Sequence, residues 1–180
     1  MTQELDEHGR PEPPLAGSEW ETLTGFLDFQ RATFAWKSGG LTPDQIAHAL
    51  PPSTMTVVGM AKHLAYVEDG WFGYRLNAEP RSEPWASVDW AAEPDWEWDS
   101  ARHDDPDAVL ELWRASVDRS RAAAERAFER DGLAGPALRP LPDGERHSLR
   151  WILTHMIEEY ARHNGHLDLM RESLDGVIGE

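Results

Sequence analysis

The sequence contains no cysteine. This absence excludes disulfide bonds, cysteine-ligated zinc and any thiol nucleophile that belongs to the protein itself. Sulfur chemistry at this protein would therefore need an external thiol. A chain without cysteine is also compatible with a reducing compartment, and we expect a cytoplasmic protein.

Basic residues are few compared with acidic ones. The chain has 17 Lys and Arg residues against 33 Asp and Glu residues, which gives a formal net charge of −16. Such a charge repels a phosphate backbone and the sequence has no basic run, so nucleic acid is excluded as a partner.

Long apolar runs are also absent. No stretch approaches the roughly 20 residues that a membrane-spanning helix needs, and the first residues lack the basic and apolar segments of a signal peptide. We expect a soluble protein with no membrane partner.

The 180 residues are 40% hydrophobic and include nine tryptophans, which indicates one folded domain with a substantial core. Residues 1–17 are acidic and rich in proline, and we interpret them as an extended N-terminal segment. Residues 18–180 are then predicted to form a single domain.

Helix start signals divide the domain into long helical segments. A capping side chain opens each segment, at Ser18, Thr42, Thr54 or Thr56, Asp105 and Ser148. The segment from Thr42 is short and ends before Pro51, and no stretch alternates with a period of two. The sequence predicts an all-α fold, a four-helix bundle with a short extra helix and two long loops.

The longer loop, residues 77–105, is rich in tryptophans and acids but lacks a helical period. We expect an ordered loop that is packed by its tryptophans and is suited to act as a lid.

The last helix carries ionisable groups on the face that a helix normally buries. At about 100° per residue, His163 falls in the middle of the apolar stripe, and Glu159, His166 and His155 follow one edge of it. His63 lies in the apolar pattern of an earlier helix. Burying an imidazole and a carboxylate is costly unless a partner compensates them, and a metal ion is one such partner.

His63, Glu159 and His163 are therefore the candidate metal ligands. Two imidazole nitrogens and one carboxylate oxygen suit Zn²⁺, Ni²⁺ or Fe²⁺, and three protein ligands leave a position open for water or substrate. His155 and His166 are candidates for a replacement ligand, for a residue that hydrogen-bonds to a ligand without binding the metal, or for a proton carrier. The alternative interpretation is that these histidines are ordinary hydrogen-bonded core residues and that no metal binds.

Two motifs carry a family resemblance, KHLAYVEDGWF at 62–72 and THMIEEYARHNGHLDLMRE at 154–172. Together with FLDFQRATFAWKSGGLTPDQ at 26–45, they resemble the DinB-like superfamily of DinB/YfiT-type metalloenzymes, and within it the actinobacterial mini-circle proteins. The resemblance implies a four-helix bundle in which one divalent metal is held at the positions of His63, Glu159 and His163. Many members have His where this sequence has Glu159, so His166 stays open as a further ligand.

What the resemblance implies about activity is a metal-dependent thiol S-transferase or isomerase. The cofactors would be zinc, or else nickel or iron, and a low-molecular-weight thiol cosubstrate such as mycothiol that reacts with a small electrophile. Similar proteins are often homodimers. The alternative function is a non-enzymatic stress protein that binds a metal or a small molecule.

Overall fold

The computed structural model describes residues 4–179, which are mainly helical. The six α-helices are α1 Glu19–Ser38, α2 Pro43–Ile46, α3 Val57–Glu68, α4 Trp96–Ala101, α5 Pro106–Asp131 and α6 Leu149–Asp175. A π-helical segment, Asp69–Leu76, continues directly from α3. Within residues 4–179, extended backbone pairs only in two isolated bridges. The predicted all-α helical-bundle class is confirmed.

Most helices begin where their capping side chains predict. The side chain of Ser18 accepts a hydrogen bond from the backbone N–H of Glu21, whose carboxylate accepts in return, so the predicted capping box is present. Thr56, rather than Thr54, caps α3 by accepting from the N–H of Gly59 at 3.0 Å. Asp105 caps α5. These contacts satisfy backbone donors that a helix start leaves unpaired.

Two short helices differ from the prediction. Helix α2 ends at Ile46 rather than near Leu50. Leu50 is followed by Pro51, and a proline disfavours helical backbone in the residue before it. Helix α4 lies inside the stretch that the sequence indicates is a loop. Its six residues are too few to show a helical period in the sequence.

The chain forms two compact units. One unit comprises the chain up to Gln45 together with the chain from Leu153 onward, and the other comprises Ile46–Ile152. No helix within residues 4–179 is long and apolar enough to cross a membrane.

In the first unit, α1 packs against the later part of α6. Phe34 and Tyr160 are fully buried and meet edge to face, with ring centroids 6.5 Å apart. The side-chain amide of Asn164 donates to the backbone oxygen of Gln30 at 3.0 Å. Before α1 the chain turns back on itself, with an isolated bridge between Leu5 and Pro11. Buried Arg10 places its guanidinium 4.5 Å from the ring centre of Phe29. The segment is therefore packed on α1.

In the second unit, α3 and the π-helical segment pack on α5 and are covered by the loop from residue 77. Trp85 is buried, and its ring meets the rings of Tyr66 and Trp96 edge to face. The prediction that tryptophans pack this loop is confirmed. Asp69, the first residue of the π-helical segment, accepts hydrogen bonds from Trp85 Nε1 at 3.0 Å and from Arg119 on α5 at 2.8 Å. Asp69 thus joins the segment, the loop and α5.

Candidate metal centre

Glu159 and His163 form a close pair on α6. They are one helical turn apart, which places both side chains on the same side of the helix. Oε1 of Glu159 lies 3.4 Å from Nε2 of His163, and the two side chains are only 16% and 6% exposed. Two ligand atoms on one tetrahedral zinc ion, each about 2.0–2.2 Å from it, are about 3.3–3.6 Å apart. The pair therefore has the separation that a shared cation requires.

His63 is oriented by a contact that lies wholly within the second unit. Its Nδ1 is 3.1 Å from Oε1 of Glu97, which α4 supplies. With the proton on Nδ1, His63 donates to this carboxylate and its lone pair is on Nε2, the atom that then faces away from Glu97. A carboxylate behind a histidine is the usual arrangement for a metal-ligating imidazole.

Glu97 is itself an unusual residue for its surroundings. It is 5% exposed, and its Oε2 has no hydrogen-bond partner among residues 4–179. A buried carboxylate is costly, and the bond to His63 compensates only one of its oxygens. Burial of its second oxygen is therefore a cost that no bond among residues 4–179 offsets.

Trp98, one residue after Glu97, stacks on the imidazole ring of His63. Its ring centroid is 4.6 Å from that of His63, and the ring planes are 24° apart. Gly59 allows this position, because a Cβ atom there would lie 3.1 Å from Trp98 Cε3. Helix α4 therefore fixes the His63 imidazole twice, by a hydrogen bond and by a stacked ring.

The two other candidate histidines have different surroundings. His166 places its ring centroid 5.6 Å from that of His163, and its buried Nδ1 has no hydrogen-bond partner among the residues the structure describes. Burial lowers the pKa of His166, and the nearby His163 and Arg162 lower it further. His155 is farther toward the surface, 26% exposed, with Nδ1 3.6 Å from Oε2 of Glu158.

A family model described as mycothiol S-transferase matches residues 22–176. The chain belongs to the mycothiol S-transferase family. The match includes His63, Glu159 and His163 as well as Glu97 and Trp98. No curated protein matches the chain. Membership of the mycothiol S-transferase family agrees with the predicted resemblance to DinB-like proteins.

Sequence reasoning did not identify Glu97 or Trp98 as parts of the site. In this member of the mycothiol S-transferase family, both residues lie in a stretch without helical period, 34 residues or more after His63. The sequence WEW at 96–98 is a weak signal of a buried acidic group, because it places a Glu between two large apolar side chains. The pattern alone does not say which residue such a group contacts.

Proposed function

We propose that the protein is a divalent-metal-dependent S-transferase that joins a small thiol of the mycothiol type to a small electrophile, with isomerisation of a thiol adduct as a related outcome. His63, Glu159 and His163 are the proposed ligands of the metal. The observation that carries the proposal is the 3.4 Å pair of ligand atoms on α6, inside the region that the family model matches.

The donor set fits a borderline metal. Two imidazole nitrogens and one carboxylate oxygen form the set found in catalytic zinc sites, and nickel or iron are alternatives. The Oε1 of Glu159 and the Nε2 of His163 are already at ligand separation. The tautomer that Glu97 favours puts the lone pair of His63 on Nε2. Because these ligands come from distant parts of the chain, we propose that residues 18–180 form one functional domain.

When it is bound, a divalent metal lowers the pKa of a coordinated thiol, so that the thiolate is the nucleophile at neutral pH. Other residues of the chain orient the proposed ligands and shield them from water. Glu97 fixes the orientation of His63, and Trp98 covers one face of its ring. His163 is 5% exposed, so water reaches this ligand poorly. We assign His166, whose ring centroid is 5.6 Å from that of His163, as a neighbour that supports this ligand without binding the metal. His155, which is more exposed, is assigned the same role at a greater distance.

The reaction joins the thiol sulfur to an electrophilic carbon. The S–H proton is lost, a C–S bond forms, and the leaving group departs with its electron pair or, in an addition, the product carbon takes a proton. Since the chain has no cysteine, the sulfur comes from the cosubstrate alone.

Metal analysis of purified variants tests the ligand assignment. The wild type is expected to hold about one metal ion per chain, as catalytic sites of this type do. His163→Ala is expected to hold almost none, whereas His103→Ala, which removes an exposed histidine between α4 and α5, should match the wild type. Equal metal content in all three proteins would rule out the proposed ligands.

Turnover tests the reaction. Metal-loaded protein is mixed with mycothiol, bacillithiol or glutathione and a panel of small electrophiles, and the conjugates are detected by mass spectrometry. We expect conjugation by the wild type and by His103→Ala and none by His163→Ala. If metal-loaded protein conjugates none of the thiols, the transferase hypothesis is rejected. The alternative, a non-enzymatic protein that binds a metal or a small molecule, would then remain.

A further inference from the structure

A small cavity of about 60 Å³ lies between the π-helical segment, the loop that follows it and α5, all within the second unit. One water molecule needs about 10–15 Å³, so the cavity has room for several waters or for one small anion. Gly70 and Gly73 of the π-helical segment are among its lining residues. Beyond its chain neighbours, no residue among 4–179 places a side-chain atom within 4 Å of a Cβ built on Gly70. His63, the proposed metal ligand in this unit, is not among the lining residues.

Two carboxylates line the cavity, and an arginine of α5 pairs with each of them. Asp69 accepts from Arg119 at 2.8 Å, and Glu79 accepts from Arg126 at 2.9 Å. The protein itself therefore compensates the negative charge at this cavity.

Arg81 lines the same cavity and carries a charge that is not compensated in this way. Its guanidinium makes no ion pair with a carboxylate among residues 4–179, although the chain has 33 acidic residues. Three aromatic rings surround it instead, with the guanidinium carbon 4.6 Å from the ring centre of Tyr74, 5.3 Å from that of Tyr66 and 5.5 Å from that of Trp90. Such rings attract and orient a cation, but they supply no negative charge. Of its five N–H donors, one makes a 3.5 Å contact to the Tyr66 hydroxyl.

A second arginine without a carboxylate partner lies on the same ring as Arg81. The guanidinium carbon of Arg139 is 3.9 Å from the ring centre of Tyr74, and its N–H groups donate to the backbone oxygens of Tyr74 and Ala78. It makes no ion pair among residues 4–179. Two like charges at one ring repel each other, and an anion bound beside them would offset this repulsion.

Ser120 on α5 is a further lining residue whose polar group lacks a partner. It is 1% exposed, and its Oγ makes no hydrogen bond among residues 4–179. Ser116, one turn earlier, donates to Asp69 at 3.1 Å, and Ala123, nearly one turn later, also lines the cavity. The face of α5 that carries Ser120 is therefore turned toward the π-helical segment. A buried hydroxyl without a partner costs free energy that a bound acceptor would recover.

We propose that this cavity binds one small oxyanion, the phosphate or carboxylate group of a free ion or a small metabolite, through Arg81 and Ser120. Both groups donate hydrogen bonds, and the planar fork of an arginine matches the oxygen spacing of either anion. The bound anion joins the loop that carries Arg81 to α5. The inference is independent of the proposed function, because no proposed metal ligand takes part in it.

Titration calorimetry with inorganic phosphate and with acetate, at constant ionic strength, tests the proposal. The proteins are wild type, Arg81→Gln, Ser120→Ala and the control Arg114→Gln, which removes an exposed arginine from α5. We expect wild type and control to bind alike. Arg81→Gln should bind at least about tenfold more weakly, because hydrogen bonds to a charged group are lost, and Ser120→Ala about threefold to tenfold more weakly. The anion with the higher affinity identifies the group that the cavity prefers.

Two variants separate binding from folding. Because the Ser120 hydroxyl is buried without a partner, Ser120→Ala should not lower the free energy of unfolding when no anion is present. Weaker binding by this variant then reflects the site itself. Arg81→Lys keeps the charge but loses the fork, so its affinity should fall between those of wild type and Arg81→Gln.

Wild-type affinity in either Arg81→Gln or Ser120→Ala would overturn the proposal. So would the absence of binding by the wild type up to about 10 mM, ten times weaker than millimolar affinity. The titration is repeated after a chelator has removed any bound metal. Unchanged affinity supports the cavity, whereas affinity that is lost with the metal would place the anion on a metal ion and overturn the assignment.

Discussion

The Nδ1 atom of His63 lies 3.1 Å from the Oε1 atom of Glu97, although the two residues are 34 positions apart in the chain. The first belongs to a long helix and the second to a helix of six residues. The orientation of one proposed metal ligand thus depends on an element whose six residues are too few to show a helical period in the sequence.

Replacing Glu97 is expected to weaken metal binding without removing a ligand. Loss of a carboxylate behind a metal-bound histidine typically costs about 10–100-fold in metal affinity, and we expect this loss for Glu97→Ala. Glu97→Gln keeps an oxygen acceptor and should lose less. Competition with a chelating dye measures the affinities. Glu93→Gln, an exposed change in the same loop, is the control, and a Glu97→Ala protein with wild-type affinity would contradict the role.

Two glycines are expected to respond oppositely to the same substitution. At Gly165 on α6 an added Cβ meets nothing within 4 Å, so Gly165→Ala should raise the free energy of unfolding by about 0.5–1 kcal/mol, the usual gain in a helix. At Gly59 the Cβ would lie 3.1 Å from both Trp98 and Thr56, which must shift. Overpacking of this kind costs about 1–3 kcal/mol, so Gly59→Ala should be destabilising overall.

Urea unfolding of both glycine variants gives the comparison, and tryptophan fluorescence reports whether Trp98 moves. If Gly59→Ala is stabilised as much as Gly165→Ala, the indole is not held tightly against α3.

The hydrogen bonds to Asp69 are expected to hold the tryptophan-rich loop in place. Arg119, Ser116 and Trp85 all donate to its carboxylate, which is 12% exposed. Asp69→Asn removes the charge and turns an NH₂ group toward these donors, so we expect a loss of about 2–3 kcal/mol in the free energy of unfolding. Limited proteolysis should then cut within residues 77–95. Asp118→Asn on the exposed face of α5 is the control, expected to stay within about 0.5 kcal/mol.

The start of α1 is expected to weaken in acid. The Ser18 backbone N–H and then its hydroxyl donate to the Glu21 carboxylate, and these bonds lower the pKa of Glu21 from its ordinary 4.5. Because the folded pKa is the lower one, this stabilisation is fully present above pH 4.5 and is lost as the pH falls through the folded value.

Chemical unfolding at about pH 6 and about pH 3 measures this loss, because the carboxylate of the unfolded chain takes up its proton between these two pH values. The stability difference between the wild type and Glu21→Gln should be larger at the higher pH. Glu125→Gln, an exposed change on α5, should show no such trend. An equal difference at both pH values would contradict the assignment.

Features fixed by neighbouring residues were predictable from the sequence. Ser18, Thr56 and Asp105 cap their helices through residues two or three positions later, so a short motif contains the whole interaction. The pairing of Glu159 with His163 likewise follows from one helical turn.

Features fixed by distant contacts were not predictable. The turn at Asp69 widens into a π-helix, and this residue is held by Arg119, 50 positions away. Helix α4 contributes Glu97 to His63 in the same way, through tertiary structure. A short sequence motif around Asp69 or His63 therefore does not predict that Arg119 or Glu97 is its partner.

The dependence of His63 on the segment between α3 and α5 has an evolutionary consequence. If His63 is a metal ligand, as proposed, insertions, deletions or substitutions in that segment would change metal affinity while the proposed ligands stay the same. Family members that share the proposed ligands but differ in this segment are therefore expected to differ in reactivity.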